Sequence, residues 1–122
     1  MTAATRPKIL FADDSEIVRR TVGLVLDPVV DLTCVDDGEA ALKACAEEEY
    51  DLVLLDIYMP GMDGLVTCAQ LRKQGLNAPI FALSADLDIR DRADYRAAGF
   101  SGFLPKPIQP RELLSIALTG VP

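Results

Sequence analysis

Residues 52–64 read Leu-Val-Leu-Leu-Asp-Ile-Tyr-Met-Pro-Gly-Met-Asp-Gly, an apolar run that ends in a carboxylate and is followed by turn residues. The first four residues are all apolar, which predicts a buried strand. Asp56 then stands at the tip of this strand, and Pro60 and Gly61 mark a turn before the next helix. The run therefore predicts a sheet strand with an acidic side chain at its rim.

Polar residues follow three other apolar runs in the same way: Asp13-Asp14 after Ile9–Ala12, Ser84 after Ile80–Leu83, and Lys106-Pro107 after Phe103-Leu104. Open α/β folds bind their ligands at the rim where the carboxyl ends of parallel strands meet. We therefore expect these acidic, hydroxyl and ammonium groups to share one pocket.

Strand-like and helix-like segments alternate five times along the chain. This alternation over short connections predicts an α/β fold, with a parallel sheet covered by helices on both faces and joined by right-handed crossovers. We expect a single domain over residues 1–122 with its core at about 7–119. The predicted strands are 8–12, 31–35, 51–56, 79–83 and 102–105, and the predicted helices are 15–26, 38–48, 64–74, 87–98 and 110–119. Helix 87–98 carries much charge and little apolar periodicity, so we expect it to be short or mobile.

Composition narrows the function classes. Half of the 122 residues are apolar, and the formal net charge is −7 with no basic run. This charge argues against binding to nucleic acid or to an anionic membrane. The first eight residues lead into no long apolar segment and no 18-residue apolar stretch follows, so neither a signal peptide nor a membrane span is predicted.

Three cysteines, Cys34, Cys45 and Cys68, lie inside predicted elements and show no CxxC spacing. Their odd number favours buried, reduced thiols over a disulfide framework or a metal site. The chain is therefore expected in a reducing compartment, the cytoplasm.

The three acidic residues of the pocket favour metal-dependent phosphoryl chemistry. Asp13, Asp14 and Asp56 would repel one another unless a cation lay among them. Mg²⁺ prefers oxygen ligands and keeps several waters, so a few carboxylates suffice to hold it. Asp56 is the best candidate nucleophile, because carboxylates form aspartyl phosphates in known enzymes. Lys106, the Ser84 hydroxyl and a nearby backbone N–H would then stabilise the oxygens of the transferring group.

Taken singly, these residues have simpler interpretations. An Asp-Asp pair before a helix is often an N-cap, with Asp14 or Ser15 as the capping residue. Ser84 alone would be a turn hydroxyl and Lys106 a solvated charge, and Phe103 is as well explained by a core position as by a functional one. The functional interpretation is favoured because all the polar residues are expected at one rim.

Together, these residues resemble the receiver domain of bacterial two-component response regulators, including the chemotaxis regulators. The resemblance covers nearly the whole chain and rests on residues 11–15, 54–64, 83–85 and 99–107. It implies a flavodoxin-like (βα)5 three-layer sandwich with strand order 2-1-3-4-5. It also implies that Asp56 is the phospho-acceptor and that Asp13, Asp14, Asp56 and the Tyr58 backbone carbonyl surround Mg²⁺.

The resemblance also implies a switch and partners. Ser84 and Phe103 would be the switch pair, acting on the face made by helix four, strand five and helix five. Since this chain contains no histidine, the phosphoryl group would come from another protein, a sensor histidine kinase or a histidine phosphotransfer protein, or from a small phosphodonor. Such a partner would dock near Val18, Pro107 and Ile108, although Val18 could equally belong to the core. The chain itself would catalyse only its own phosphorylation and dephosphorylation.

Two positions depart from the usual pattern. Tyr58 and Asp86 occupy positions that in this family flank the path of the attacking water. The aromatic ring could shield an acyl phosphate, whereas Asp86 could orient a water molecule. A cis Lys106–Pro107 bond could aim the lysine inward.

Three kinds of function remain to be weighed against the sequence: a regulator, a receiver module of a larger protein, and an enzyme or cofactor carrier of similar architecture. The chain could be a free-standing regulator or phosphorelay shuttle, or it could be a receiver module of a hybrid kinase or multidomain regulator. A phosphatase-like enzyme of the dehalogenase type would need an Asp where Tyr58 stands. A flavodoxin would need a hydroxyl-rich loop where Asp13-Asp14 stand, so both of these fit poorly.

Overall fold

A computed structural model describes residues 6–120 of the chain. Residues 1–5 and 121–122 lie outside this range, so the predictions for the N-terminal leader and for both ends of the domain fall partly outside the described residues. The strands are β1 Lys8–Ala12, β2 Asp31–Val35, β3 Leu52–Asp56, β4 Ile80–Ser84 and β5 Gly102–Pro105. The helices are α1 Glu16–Leu26, α2 Gly38–Glu47, α3 Gly64–Lys73, α4 Ala93–Ala98 and α5 Pro110–Thr119, with a 3₁₀ turn at Leu87–Asp91.

The five strands form one parallel sheet in the order β2-β1-β3-β4-β5. Every residue of β3 and β4 is buried, as expected for central strands covered on both faces. Helices α1 and α5 cover one face around Phe11, Leu54 and Ile116, while the opposite face packs Leu10 and Val53 against α2 and α3. The flavodoxin-like fold and its strand order are therefore confirmed.

Side-chain caps begin three of the five helices, α1, α2 and α3. Ser15 is the N-cap of α1, and its Oγ accepts a hydrogen bond from the Val18 N–H at 3.3 Å. Asp37 and Asp63 cap α2 and α3 in the same way. Each cap satisfies a backbone donor that the helix itself leaves unpaired. Ser15, and not Asp14, is thus the cap of α1, which leaves Asp14 outside that role.

The prediction of a single helix over residues 87–98 is wrong. The chain instead forms the 3₁₀ turn and the six-residue α4, separated at Arg92, and we call residues 87–98 the α4 segment. Ile89 and Ala98 are its buried residues. The shortness of α4 agrees with the expectation, because a charged segment with so few apolar residues can bury only isolated points.

The predicted burial of the three thiols also needs correction. Cys68 is buried and Cys45 is partly buried, but Cys34 is exposed because β2 is an edge strand of the sheet. On α5, Leu118 is exposed, whereas Ile116 is buried in the core. Within residues 6–120, no helix has both the length and the apolar content needed to cross a membrane.

Candidate functional site

The acid pocket lies at the carboxyl rim of the sheet and consists of Asp13, Asp14, Asp56 and Lys106. Asp13 and Asp14 follow β1, Asp56 ends β3, and Lys106 follows β5. Asp13 is fully buried and Asp56 is 4% exposed, whereas Asp14 is exposed. Asp13 and Lys106 are 93 positions apart in sequence but are neighbours here, as expected for residues at the carboxyl ends of parallel strands.

The three carboxylates form a cluster in which one oxygen from each lies within 4.8 Å of the others. Lys106 Nζ lies 3.0 Å from Asp13 Oδ2 and 3.1 Å from Asp56 Oδ1. The second oxygen of Asp13 accepts a hydrogen bond from the Ser15 N–H at 2.9 Å. One ammonium group therefore lies against two buried carboxylates, while Asp14 adds a third negative charge beside them.

The pKa values of Asp56 and Lys106 follow from this excess of carboxylates over ammonium groups. Burial raises the pKa of Asp56 above its ordinary value, and the charge of Asp13 raises it further. Lys106 and the Tyr58 backbone N–H act in the opposite direction without cancelling the rise. Burial alone would lower the pKa of Lys106, but the hydrogen bond to Asp13 and the charge of Asp56 outweigh it, so its pKa is raised. The pocket has more negative charge than its lysine neutralises.

The donor set fits a hard divalent cation. Mg²⁺ takes oxygen ligands, mostly carboxylates and water, and a solvent-facing carboxylate such as Asp14 allows the waters to remain. Asp13, Asp14 and Asp56 are the groups that would hold the ion, and an added positive charge would relieve their repulsion. The Tyr58 carbonyl as a further ligand stays a prediction.

Gly64 explains how α3 begins so close to the acceptor. A Cβ atom added at this position would lie 2.3 Å from the Asp56 carbonyl oxygen and 2.8 Å from the Ile57 Cα. The Gly64 N–H also donates to the Ile57 carbonyl at 2.8 Å. Only glycine lets the loop after β3 fold back this tightly, so residue 64 helps to fix the main chain at Asp56.

The predicted switch residues, Ser84 at the end of β4 and Phe103 within β5, do not touch each other in any described contact. Ser84 is buried, and its Oγ accepts a hydrogen bond from the Asp86 N–H at 2.9 Å. Phe103 is only partly buried on β5. Its ring packs edge-on against Tyr95, and the Arg90 guanidinium lies 5.0 Å from the ring centroid. Phe103 therefore faces the α4 segment.

Tyr58 and Asp86, which the sequence places on either side of the pocket, are in direct contact. The Tyr58 hydroxyl donates to Asp86 Oδ2 at 2.8 Å, across 28 residues of sequence. This hydrogen bond joins the loop after β3 to the loop after β4. The sequence identified both positions but not their contact, because nothing in the spacing fixes where the tyrosine ring points.

The predicted docking residues share one groove. Val18 on α1 and Lys106, Pro107 and Ile108 after β5 line an apolar groove of about 190 Å³ beside the acid pocket. Pro107 is exposed, whereas Val18 and Ile108 also pack against the core. The Lys106–Pro107 peptide is cis, as the sequence analysis had considered.

The chain matches the family model described as response regulator receiver domain over residues 9–118. The chain belongs to the response regulator receiver family. It is 36% identical over 107 residues to the alkaline phosphatase synthesis transcriptional regulatory protein PhoP of Bacillus subtilis, covering 87% of this chain and 45% of that protein. The sensor histidine kinase GacS of Pseudomonas protegens is 32% identical over 118 residues, covering 92% of this chain and 13% of the kinase.

Solved structures of receivers resemble this receiver domain closely. The chemotaxis response regulator CheY4 of Vibrio cholerae has a TM-score of 0.84 and 30% identity, with 91% of this chain and 95% of that chain covered. The receiver domain spans less than half of the regulators that it matches in sequence, and a smaller share of the kinases. Receivers thus occur both in transcriptional regulators and in sensor kinases among its relatives.

Proposed function

We propose that this receiver domain takes a phosphoryl group from a phosphohistidine onto Asp56 in a Mg²⁺-dependent reaction, and that the acyl phosphate then changes a protein-binding surface. The observation that carries the proposal is the acid pocket itself. Three carboxylates from two strand ends lie within 4.8 Å, and Lys106 reaches both buried ones. The same function is proposed for a free-standing chain or for a module of a larger protein in the cytoplasm.

The transfer is a displacement at phosphorus. An Asp56 oxygen forms the new O–P bond while the N–P bond of the donor breaks, and the donor imidazole leaves with the electron pair and takes up a proton. Mg²⁺ held by Asp13, Asp14, Asp56 and the Tyr58 carbonyl would supply positive charge to the phosphoryl oxygens. Lys106, 3.1 Å from Asp56, is placed to bind another of these oxygens. The Ser84 hydroxyl accepts from Asp86 and keeps its own proton to donate to the phosphoryl group.

A switch follows from the same groups. Phosphorylation adds about −1.5 to −2 charge and new acceptor oxygens next to Ser84. Drawing the Ser84 hydroxyl inward would pull on the loop that carries Asp86 and leads into the α4 segment. Phe103 already contacts that segment through Tyr95 and Arg90, so a shift there would move its ring. The surface of α4, β5 and α5 is the proposed output face.

The test uses the intact chain with Mg²⁺ and acetyl phosphate or phosphoramidate. Intact-mass measurement should show the gain of one phosphoryl group, which chelation of the metal should prevent. Asp56→Asn should abolish the gain while leaving the fold intact, because the amide is nearly isosteric but a very poor nucleophile. Full labelling of a folded Asp56→Asn variant would contradict the acceptor assignment.

The proposed donor is a sensor histidine kinase or a helical histidine phosphotransfer domain that covers the groove at Val18, Pro107 and Ile108. Apolar residues beside a polar pocket would exclude water during transfer. Ile108→Glu should impair labelling by a cognate phosphotransfer domain but leave labelling by acetyl phosphate nearly unchanged. Leu24→Glu, which lies on the exposed side of α1, is the control. An equal fall in both reactions of Ile108→Glu would contradict the docking role.

A further inference from the structure

Arg19 is a cation of the site that the sequence analysis missed. It lies in the first half of α1, and its side chain reaches back toward the start of the helix, as helical side chains do. Its Nη1 donates a hydrogen bond to the main-chain carbonyl of Asp13 at 2.7 Å. The side chain is partly buried and lies near β2, where its charge acts on Cys34. Arg19 therefore touches the chain at the point where both metal-site acids begin.

The contact acts on a peptide plane. The Asp13 carbonyl oxygen and the Asp14 nitrogen belong to one planar peptide unit, so holding the oxygen also restricts how Asp14 leaves the strand. The other side of Asp13 is held by its own N–H, which donates to the Val35 carbonyl at 3.1 Å. The main chain at the end of β1 is thus fixed from the edge strand on one side and from α1 on the other.

The orientations of the Asp13 and Asp14 carboxylates depend on this peptide plane to different degrees. The Asp13 carboxylate has its own partners, the Ser15 N–H on one oxygen and Lys106 on the other. The Asp14 carboxylate is exposed, and within residues 6–120 no described side-chain hydrogen bond or ion pair holds it. Its direction toward the cluster is therefore set mainly by the main chain, which Arg19 holds.

We propose that Arg19 is a positioning residue of the metal site, which aims Asp14 at the cation by holding the Asp13–Asp14 peptide. This inference rests on the proposed function, since it requires that the acid pocket binds Mg²⁺. Groups behind the direct ligands commonly change metal affinity by about 10- to 100-fold when they are removed. A single charge-assisted hydrogen bond to an exposed ligand's main chain should lie near the lower end of that range.

Electrostatic repulsion alone predicts the opposite change in Mg²⁺ affinity when Arg19 is removed. Arg19 is a positive charge next to a site for a positive ion, so removing it should tighten Mg²⁺ binding by lowering repulsion. The positioning role instead predicts weaker binding. The direction of the change therefore separates the two effects without any need to compare their sizes.

The chain offers a matched control one residue away. Arg20 is exposed, carries the same charge and pairs with Glu16 at 3.7 Å on the outer side of α1. Arg20→Ala removes the same charge from the same helix but leaves the Asp13 carbonyl untouched. Arg19→Lys is the second variant, because it keeps both the charge and one hydrogen-bond donor.

The experiment is a Mg²⁺ titration of the metal-free proteins, followed by the amide resonances of residues 56–58, with thermal unfolding as a check on the fold. We expect about tenfold weaker binding for Arg19→Ala, wild-type or slightly tighter binding for Arg20→Ala, and an intermediate affinity for Arg19→Lys. Binding by a folded Arg19→Ala that is as tight as in wild type, or tighter, would overturn the proposal. Failure of the wild type to bind Mg²⁺ would instead refute the proposed function.

A double-mutant cycle tests the route through Asp14. If Arg19 acts by aiming that carboxylate, Arg19→Ala should change Mg²⁺ affinity little once Asp14→Ala is present. A full tenfold further loss in the Asp14→Ala background would overturn this route, because the two effects would then be independent.

Discussion

The acid pocket and the α4 segment are held in very different ways. In the acid pocket, both buried carboxylates have partners from other elements, and β3, the strand that ends in Asp56, is buried throughout. The α4 segment buries only Ile89 and Ala98 fully and Tyr95 in part, and its other residues are exposed. Its helix begins at Ala93, and Arg92 at the N-cap position makes no side-chain capping hydrogen bond.

This difference matches the two tasks that we propose for the domain. Phosphoryl transfer needs charged groups that are already in place, because their reorganisation would add to the barrier. A segment that reports phosphorylation must rearrange at small free-energy cost, and such segments are typically those with few buried contacts. Substitutions in the two regions can show whether they differ in this way.

Lys106→Ala should have the largest effect on stability. It leaves two buried carboxylates without their ammonium, and we expect the free energy of unfolding at pH 7 to fall by about 3 kcal/mol. Lys8→Ala is the matched control, because its ion pair with Glu48 is exposed to solvent and should contribute little to stability. Urea unfolding measures both variants, and equal losses would contradict the rigidity that we assign to the acid pocket.

The pH dependence of the Lys106→Ala loss has a definite sign. The pKa of Asp56 is raised in the folded protein. Protonation of Asp56 therefore stabilises the folded state at pH values below the pKa that this group has in the unfolded chain, and the stabilisation is lost as pH rises through the pKa of the folded state. Without Lys106 its pKa should rise further. The penalty of the substitution should therefore be greatest near neutral pH and shrink on acidification toward pH about 4. A penalty that grew on acidification would exclude this explanation.

Ile89→Ala tests the other region. Ile89 is the fully buried side chain of the 3₁₀ turn. If the α4 segment opens locally, Ile89→Ala should lower the free energy of unfolding by about 2 kcal/mol, the low end of the range for a buried isoleucine. Amide exchange over residues 87–98 should accelerate, while labelling of Asp56 by acetyl phosphate stays near wild type. Leu87→Ala, at an exposed position of the same turn, is the control. Loss of labelling in Ile89→Ala would show that the two regions fold as one unit.

Ser84→Ala should allow phosphorylation of Asp56 but abolish its effect on the α4 segment. It removes the acceptor of the Asp86 N–H, a loss of about 1 kcal/mol, and the hydroxyl that we propose turns toward the phosphoryl group. Asp56 should still be labelled, more slowly, but labelling should no longer change amide exchange in the α4 segment. Equal exchange changes in the variant and the wild type would reject Ser84 as the link.

Tyr58→Phe should have the smallest effect. It removes the hydrogen bond to Asp86 but keeps the ring, so Asp86 becomes available to orient a water. An exposed hydrogen bond contributes about 1 kcal/mol or less, which limits the expected increase in dephosphorylation rate to about fivefold. Tyr58→Phe/Asp86→Ala is the control and should lose this increase. A slower rate in Tyr58→Phe alone would contradict the proposed role of Asp86.

The sequence alone was enough to predict the ten regular elements to within a residue or two, apart from the α4 segment. It also predicted that Asp13, Asp14, Asp56 and Lys106 meet. The physical reason is simple, because buried strands require apolar runs and the ends of parallel strands must lie at one rim. The family resemblance added the strand order and the assignment of roles, and the comparisons bear out the family and the fold.

Only the tertiary structure decided the contacts between side chains and the exposure of edge positions. An apolar pattern along one element cannot show that β2 leaves Cys34 exposed, or that Leu118 points outward while Ile116 is buried. The bond from Tyr58 to Asp86 depends on how two loops face each other, and the bond from Arg19 to the Asp13 carbonyl depends on the angle between α1 and β1. These angles arise from packing of the whole core, so no local stretch of sequence contains them.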